Sequence, residues 1–195
     1  NAAVQKGLFT TLYNAKEGKL YFEIPDSAFG RTYILANRVA ATSNTRDFVA
    51  GQIATQPLLI RFSKDERNVY IHQIQSSDIV AGTDPIESAF DKNFYDPVLK
   101  GFKIAAQNGK NVVIDVTAFF GANEKAISPI KTDNPLSKLL GGANSLKGTF
   151  VPDASGIVSS KCFPENIEIK SRLSFTLTPL GQPYSVIMHR SLFAL

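Results

Sequence analysis

Hydrophobic and polar residues alternate along much of the chain, and the clearest example lies near its beginning. Leu20, Phe22 and Ile24 occupy every second position and are separated by residues of different polarity. Residues 8–13 alternate in the same way, and the polar stretch 14–18 stands between the two runs. Because successive side chains of a β-strand point to opposite faces, this pattern predicts a hairpin with one half-buried face.

The same alternation predicts further strands across the rest of the chain. They are residues 32–41, 58–62, 69–74, 102–107, 111–116, 167–177 and 184–193. Asn108-Gly109 lies between two of these runs and is the strongest hairpin signal, since both residues tolerate the positive φ angles of a type I′ turn. The polar, glycine-containing residues 42–55 are predicted to form a long loop.

Helix signals are few, and the helices they predict are short. Asp84-Pro85-Ile86-Glu87 is typical of a helix start and predicts a helix that ends near Asn93. Asn134-Pro135 predicts a second helix that ends at Gly141-Gly142, and residues 115–120 predict one further helical turn. The predicted fold is mainly β (α+β), with antiparallel sheets built from hairpins and two or three short helices.

Composition agrees with a globular, β-rich chain. Of the 195 residues, 44% are hydrophobic and 19% are charged, and the 14 Phe and 6 Tyr suit an aromatic core. The net charge of +4 comes from scattered Lys and Arg residues, which argues against a nucleic-acid partner. No stretch approaches the ~20 apolar residues of a transmembrane helix. The single Cys162 has no partner for an internal disulfide.

The two ends of the sequence are those expected of a domain taken from a longer polypeptide. The sequence begins at Asn1 rather than Met, and residues 191–195 are largely apolar and still in strand register. Natural termini more often trail off in polar residues. We therefore expect residues 1–195 to form a single domain excised from a longer multidomain protein, or a chain whose last strand is buried.

Residues that could carry chemistry are sparse, and none falls into a catalytic motif. His72 and His189 both lie in predicted strands, where a surface or packed histidine is a simpler interpretation than a zinc ligand. Cys162 is expected to be a small buried or half-buried residue. Five carboxylates are candidates for a converging, glycosidase-like pair, although a strand, turn or capping role is simpler for each: Glu23, Asp26, Asp47, Asp115 and Glu168. We expect no catalytic, cofactor-binding or metal-binding residue in this chain.

The stretch GKLYFEIPDSAFGR at residues 18–31, together with its neighbours, carries a family resemblance. Residues 7–43 resemble the start of a DUF5117-like N-terminal domain of unknown function in zinc-dependent metalloproteases of Bacteroidetes and related bacteria. The typical pattern there is LFxV…GKxYFEIP…LGRdfLlvsRv, and this chain departs from it at Ala28-Phe29, where a Leu-Leu pair is common. Later stretches resemble the family in the same order: 49–52, 60–62, Asp84-Pro85-Ile86 with Phe90 and Asn93-Phe94, 113–117 and 163–166.

The resemblance implies a role for the chain but no reactive site in it. In the full-length family the HExxH-type zinc helix lies in a later domain, so its ligands have no counterpart in these residues. The implied parent is an extracytoplasmic peptidase, secreted, periplasmic or anchored in the cell envelope, with zinc in its catalytic domain. The chain would be its non-catalytic N-terminal part, packing on or assisting the downstream catalytic domain of the same polypeptide.

Two groups of side chains are expected to form an interaction surface, namely tyrosines opposite the apolar stripes and the apolar last residues. This predicted surface consists of Tyr21, Tyr33, Tyr70, Leu192, Phe193 and Leu195. The tyrosines also motivate an alternative function, an independent glycan- or peptide-binding β module of the bacterial cell envelope. A free-standing hydrolase built from strand carboxylates is a third and weaker hypothesis.

Overall fold

A computed structural model describes residues 2–45, 47–75, 95–130 and 147–195. These residues form twelve strands, the short helix α1 (Thr117–Gly121), and two 3-10 turns at Asp26–Ala28 and Pro152–Ala154. The strands are β1 (Ala3–Lys6), β2 (Thr10–Asn14), β3 (Lys19–Ile24), β4 (Thr32–Thr42), β5 (Ile53–Lys64), β6 (Asn68–Gln73), β7 (Val98–Asn108), β8 (Asn111–Asp115), β9 (Gly148–Phe150), β10 (Gly156–Cys162), β11 (Asn166–Leu177) and β12 (Gln182–Ala194).

All of the strand pairs in the described residues are antiparallel, and they join into one sheet. The order is β1-β2-β3-β8-β7-β6-β5-β4-β12-β11-β10, with β9 also paired to β11. The long strand β7 pairs with β6 through its first half and with β8 through its second half, so it carries the sheet from one part to the other. The prediction of a mainly β, antiparallel fold is confirmed.

The sheet curls until its two edges approach each other. The Leu8 N–H donates to the Phe163 carbonyl at 2.7 Å, and the Cys162 N–H donates to Oε1 of Gln5 at 2.8 Å. Gly7 makes this close approach possible, because a Cβ atom there would lie 2.3 Å from the Phe163 carbonyl oxygen. The start of the chain is therefore locked against the end of β10.

Most of the predicted elements are present, and three strands were missed. The hairpin around Asn108-Gly109 forms with Gly109 at φ 62°, and the predicted helical turn at residues 115–120 is α1. The predicted loop 42–55 is wrong at its end, because β5 begins at Ile53. The prediction also missed β1, β9 and β10. The helices predicted near residues 84–93 and 134–142 lie outside the described residues.

The inner face of the curled sheet forms the core, and aromatic rings fill much of it. Phe9 contacts Phe22, Tyr33 and Phe62 edge to face, with ring centroids 5.7–5.9 Å apart. Phe22 also packs against Phe120 of α1, so the helix closes one side of the cluster. The predicted alternation in β3 is confirmed, since its inward side chains are at most 1% exposed.

A layer of polar side chains divides this core into two hydrophobic clusters. Asn37 lies between Leu35 and Val39 on the inner face of β4, and these two neighbours belong to different clusters. Arg190 lies in register with Asn37 on β12, and Ser171 lies on the inner face of β11. All three polar residues are at most 1% exposed, so a guanidinium group sits inside the fold.

Candidate functional site

The outer face of the sheet, opposite the core, carries a cluster of polar side chains on the β5–β6 hairpin. The Oγ of Ser63 lies 2.8 Å from Nε2 of His72, and Nδ1 of His72 lies 3.0 Å from the Asp96 carbonyl oxygen. Ser63 and His72 stand diagonally across the hairpin because Arg61 is the register partner of His72. We call Ser63, His72 and Asp96 the His72 cluster.

The partners of His72 fix which ring nitrogen carries the proton. A carbonyl oxygen only accepts hydrogen bonds, so Nδ1 must donate to Asp96. In the neutral ring Nε2 is then an acceptor, and the Ser63 hydroxyl donates to it. A catalytic serine donates its hydroxyl proton to a general-base histidine in the same direction. However, a carbonyl dipole stabilises an imidazolium less than a carboxylate does, so the arrangement suits fixing the Asp96 backbone better than it suits catalysis.

Ion pairing and aromatic rings surround the His72 cluster. Nη1 of Arg61 lies 3.3 Å from Oδ2 of Asp96, which ties the Asp96 side chain to β5 as well. The Tyr95 ring contacts the His72 ring edge to face with centroids 5.7 Å apart, and the centroid of the Tyr70 ring lies 6.5 Å from that of His72. His72 is only 7% exposed as a result, whereas Tyr95 is 70% exposed. The cluster therefore presents one open aromatic ring beside paired charges.

The turn next to Tyr70 gives a pH dependence that can be measured. Backbone N–H groups of Arg67 and Asn68 and the Tyr70 hydroxyl donate to Asp65, and they lower the pKa of this carboxyl from 3.8 to about 2. A lowered folded-state pKa contributes stability above the unfolded-state value, and this contribution is lost as the pH falls towards about 2. We expect the unfolding free energy of Asp65→Asn to fall less steeply than that of the wild type in this pH window.

Denaturant unfolding measured at several pH values checks this expectation. The matched control is Glu66→Gln, which removes a charge from the neighbouring residue of the same turn. The control should keep the wild-type slope. Equal slopes for the wild type and Asp65→Asn would contradict the assignment.

Apolar side chains form a row beside the His72 cluster on the same outer face. Ile34 of β4 is the register partner of both Leu59 of β5 and Phe193 of β12, so the three side chains stand side by side. Leu59 and Phe193 are each 38% exposed. Leu195 follows two residues after Phe193 on this face and is 66% exposed. We call Ile34, Leu59, Phe193 and Leu195 the apolar row.

The structure brings together only part of the predicted interaction surface. Phe193 and Leu195 lie in the apolar row, and Tyr70 borders the His72 cluster, while Tyr21 is half-buried on the distant strand β3. The predicted exposure of Tyr33 is wrong. Its ring is 0% exposed on the inner face, and its hydroxyl donates to the Ala28 carbonyl. Leu192 is also buried, at 2% exposed, because it shares the inner face of β12.

Most of the other candidate residues make hydrogen bonds or ion pairs with neighbouring side chains. Glu23 accepts hydrogen bonds from Asn108 and Asn111, Asp26 pairs with Lys64, and Asp115 pairs with Lys19 and accepts from the Thr117 N–H. Glu168 contacts His189 and Ser191, and Asp47 is exposed. Cys162 is half-buried and contacts the Phe9 carbonyl. His72 and His189 lie on strands separated by β5 and β4, so they do not meet.

The described ranges contain neither a metal-binding cluster nor a membrane-spanning helix. No group of three or more His, Cys, Asp and Glu side chains there is arranged to hold a metal ion. None of the helices in the same ranges is long and apolar enough to cross a membrane.

Family models cover nearly all of the chain. Residues 51–195 match the model of a domain of unknown function, DUF5117. The chain belongs to the DUF5117 family. Residues 1–42 match a second domain of unknown function, DUF5118. No curated protein and no solved structure matches the chain significantly.

The boundary between the DUF5118 and DUF5117 segments crosses the middle of the sheet. Strand β4 ends the DUF5118 segment, and it lies between β5 and β12 of the DUF5117 segment. Strand β3 of the first segment likewise pairs with β8 of the second. The apolar row draws Ile34 from one segment and Leu59 and Phe193 from the other. Both segments are therefore needed to build the outer face.

The His72 cluster was not predicted from the sequence. His72 was predicted to lie in a strand, but no hydrogen-bond partner was predicted for it. The hairpin did indicate this contact, because the turn between Lys64 and Asn68 brings Ser63 and His72 close together on one face. The contact with Asp96 is made by a more distant residue, which the local pattern does not place.

Proposed function

We propose that this DUF5117-family chain is the non-catalytic N-terminal accessory domain of an extracytoplasmic zinc-dependent metalloprotease. In this proposal it packs on the downstream catalytic domain of the same polypeptide and assists its folding or shapes its cleft. Peptide hydrolysis and zinc binding belong to that later domain. The proposal rests on the ordered resemblance across residues 7–166 and on one structural observation, the apolar row.

The apolar row has the character of a surface that another domain covers. Leu59 and Phe193 stand beside Ile34 in three adjacent strands, which concentrates exposed hydrophobic side chains at one place. The flanking groups are paired or half-buried, as with Arg61 and Asp96. An apolar centre with a polar rim is the usual anatomy of a protein interface. We therefore assign the row to the contact with the catalytic domain.

Charged substitutions in the row test this assignment in the parent protease. We expect Leu59→Glu combined with Phe193→Glu to lower the melting temperature and peptidase activity of the parent, because buried carboxylates would lose their hydration at the contact. The same double variant of the isolated chain should keep a cooperative unfolding transition, since both positions face solvent there. Scanning calorimetry and a peptide-hydrolysis assay provide the two readouts.

The matched control is Val4→Glu, which places a carboxylate at a 56% exposed position on edge strand β1. It should leave the parent unchanged. A second comparison removes residues 1–195 from the parent altogether and is expected to reduce folding yield and activity. Unchanged activity and stability after this deletion would overturn the accessory role.

The alternative function is an independent glycan- or peptide-binding module, and the exposed ring of Tyr95 is the observation that favours this function. This ring is 70% exposed and lies beside the charged pair Arg61–Asp96, so it offers both a stacking surface and polar contacts for a sugar. Glycan-array and peptide-pulldown screens with the chain and with Tyr95→Ala test it. A ligand that is retained by the wild type and lost by the variant would support the module over the accessory role.

A further inference from the structure

The guanidinium group of Arg190 is enclosed in the core, and three of its five N–H donors have no hydrogen-bond acceptor among the described residues. Nη1 donates to the Phe120 carbonyl at 2.6 Å and to the Ser171 hydroxyl at 3.1 Å. Nε and Nη2 have no hydrogen-bond partner among the described residues, although the side chain is 0% exposed. A buried donor without an acceptor is costly, and a buried charge without a counter-charge is more so.

The two unpartnered atoms of Arg190, Nε and Nη2, form the edge of the guanidinium that can bind a carboxylate through two parallel hydrogen bonds. Nε–H and Nη2–H lie on one edge of the planar guanidinium and point the same way, so they match the two oxygens of a carboxylate. Asn37 stands in register with Arg190, and both its amide nitrogen and its amide oxygen also lack partners in the described part of the chain. The amide N–H group supplies a further donor at the same place.

The described residues supply no counter-charge for Arg190. The buried polar residues there are Thr11, Asn37, His72, Ser128, Ser160, Ser171, Ser174 and Arg190, and none is acidic. Desolvation lowers the pKa of Arg190 to about 9, so the group is still cationic at neutral pH. A monovalent anion cancels this charge, whereas a divalent one would bury a net negative charge.

We propose that Arg190 and Asn37 form an internal binding site for one small carboxylate ion of the size of formate or acetate. The ion accepts two hydrogen bonds from the Nε/Nη2 edge of Arg190 and one from the Asn37 amide. It bridges β4 and β12 inside the core. Because the site is enclosed, the ion binds the folded chain and not the unfolded chain, and it stabilises the fold by mass action.

Thermal unfolding of the 195-residue chain in sodium formate tests the proposal, with sodium chloride added to keep the ionic strength constant. The melting temperature of the wild type should rise with the logarithm of the formate concentration. Arg190→Met keeps an unbranched side chain but removes the Nε/Nη2 donor pair. Its melting temperature should not rise with formate. The control Arg38→Met changes an exposed arginine of β4 and should respond like the wild type.

A direct measurement keeps the test valid if Arg190→Met does not fold. Equilibrium dialysis of the wild type with isotope-labelled formate should show about one bound ion per chain, and Asn37→Leu should bind formate at least several-fold more weakly. No bound formate, or an equal melting-temperature rise in the wild type and Arg190→Met, would overturn the site. A response to phosphate without a response to formate or acetate would overturn its assignment to carboxylates.

Discussion

Residues 51–195 expressed without the preceding segment are expected to remain unfolded, although they match the DUF5117 model by themselves. Removal of residues 1–50 takes away β4, which lies between β5 and β12 in the sheet. Strand β3, the partner of β8, is lost as well. The truncation therefore cuts the sheet in its middle and creates three new edges, at β5, β8 and β12, that the native fold does not expose.

The loss of hydrophobic core makes this effect larger than any single substitution. Six large side chains of the first segment are at most 2% exposed: Phe9, Leu20, Phe22, Ile24, Tyr33 and Leu35. Burial of one such side chain stabilises a fold by about 1.5–3 kcal/mol, so the six together contribute on the order of 10 kcal/mol. This is comparable with the whole net stability of an ordinary domain.

Circular dichroism and denaturant titration of both forms decide the question. The 195-residue chain should unfold in one cooperative transition, and the truncated chain should show none. Co-expression of residues 1–50 as a separate peptide should restore some folded material, since the missing strands would be supplied in trans. A cooperative transition in the truncated chain alone would mean that the DUF5117 segment folds independently of the DUF5118 segment.

The local pattern of the sequence predicted strands and hairpins because their determinants are local. Side chains in β3 alternate with a period of two, and Asn108-Gly109 matches the twist of a hairpin. The pattern failed where strands are short or irregular. Strand β1 has four largely exposed residues, and β10 is rich in small polar residues and is bulged between Ile157 and Ser159. These segments lack the alternation that marks a half-buried strand.

Strand order and burial of the candidate residues depend on contacts between distant segments. No local sequence pattern specifies that β4 pairs with β12, which is far away in the sequence. This pairing nevertheless decides which face of β4 is covered. Tyr33 was predicted to be exposed, but the sheet curls over its face of β4. Arg190 did carry a signal, because it stands in phase with Met188 and Leu192 on the buried face of β12. A charged residue at a core-facing position of a strand indicates a buried polar group. Which residues it contacts, however, depends on how distant strands pair in the fold.

Phe9→Ala is expected to lower the unfolding free energy by about 3–5 kcal/mol, which is the usual cost of truncating a fully buried aromatic side chain. Phe9 is 2% exposed and joins the two family segments, because its ring contacts Tyr33 of the first segment and Phe62 of the second. Phe9→Leu should cost less, since it keeps aliphatic bulk and loses mainly the edge-to-face contacts, worth about 0.5–1.5 kcal/mol for each pair.

The matched control for this series is Phe163→Ala, because the Phe163 side chain is 44% exposed. Its side chain is far less buried than that of Phe9, so the control should stay within about 1 kcal/mol of the wild type in urea unfolding. Because Phe9 lies between the two segments, the loss of unfolding free energy should decrease in the order Phe9→Ala, Phe9→Leu, Phe163→Ala. A cost of Phe9→Ala no greater than that of the control would mean that the aromatic cluster does not hold the segments together, and that the backbone pairing of β4 with β5 and β12 does so alone.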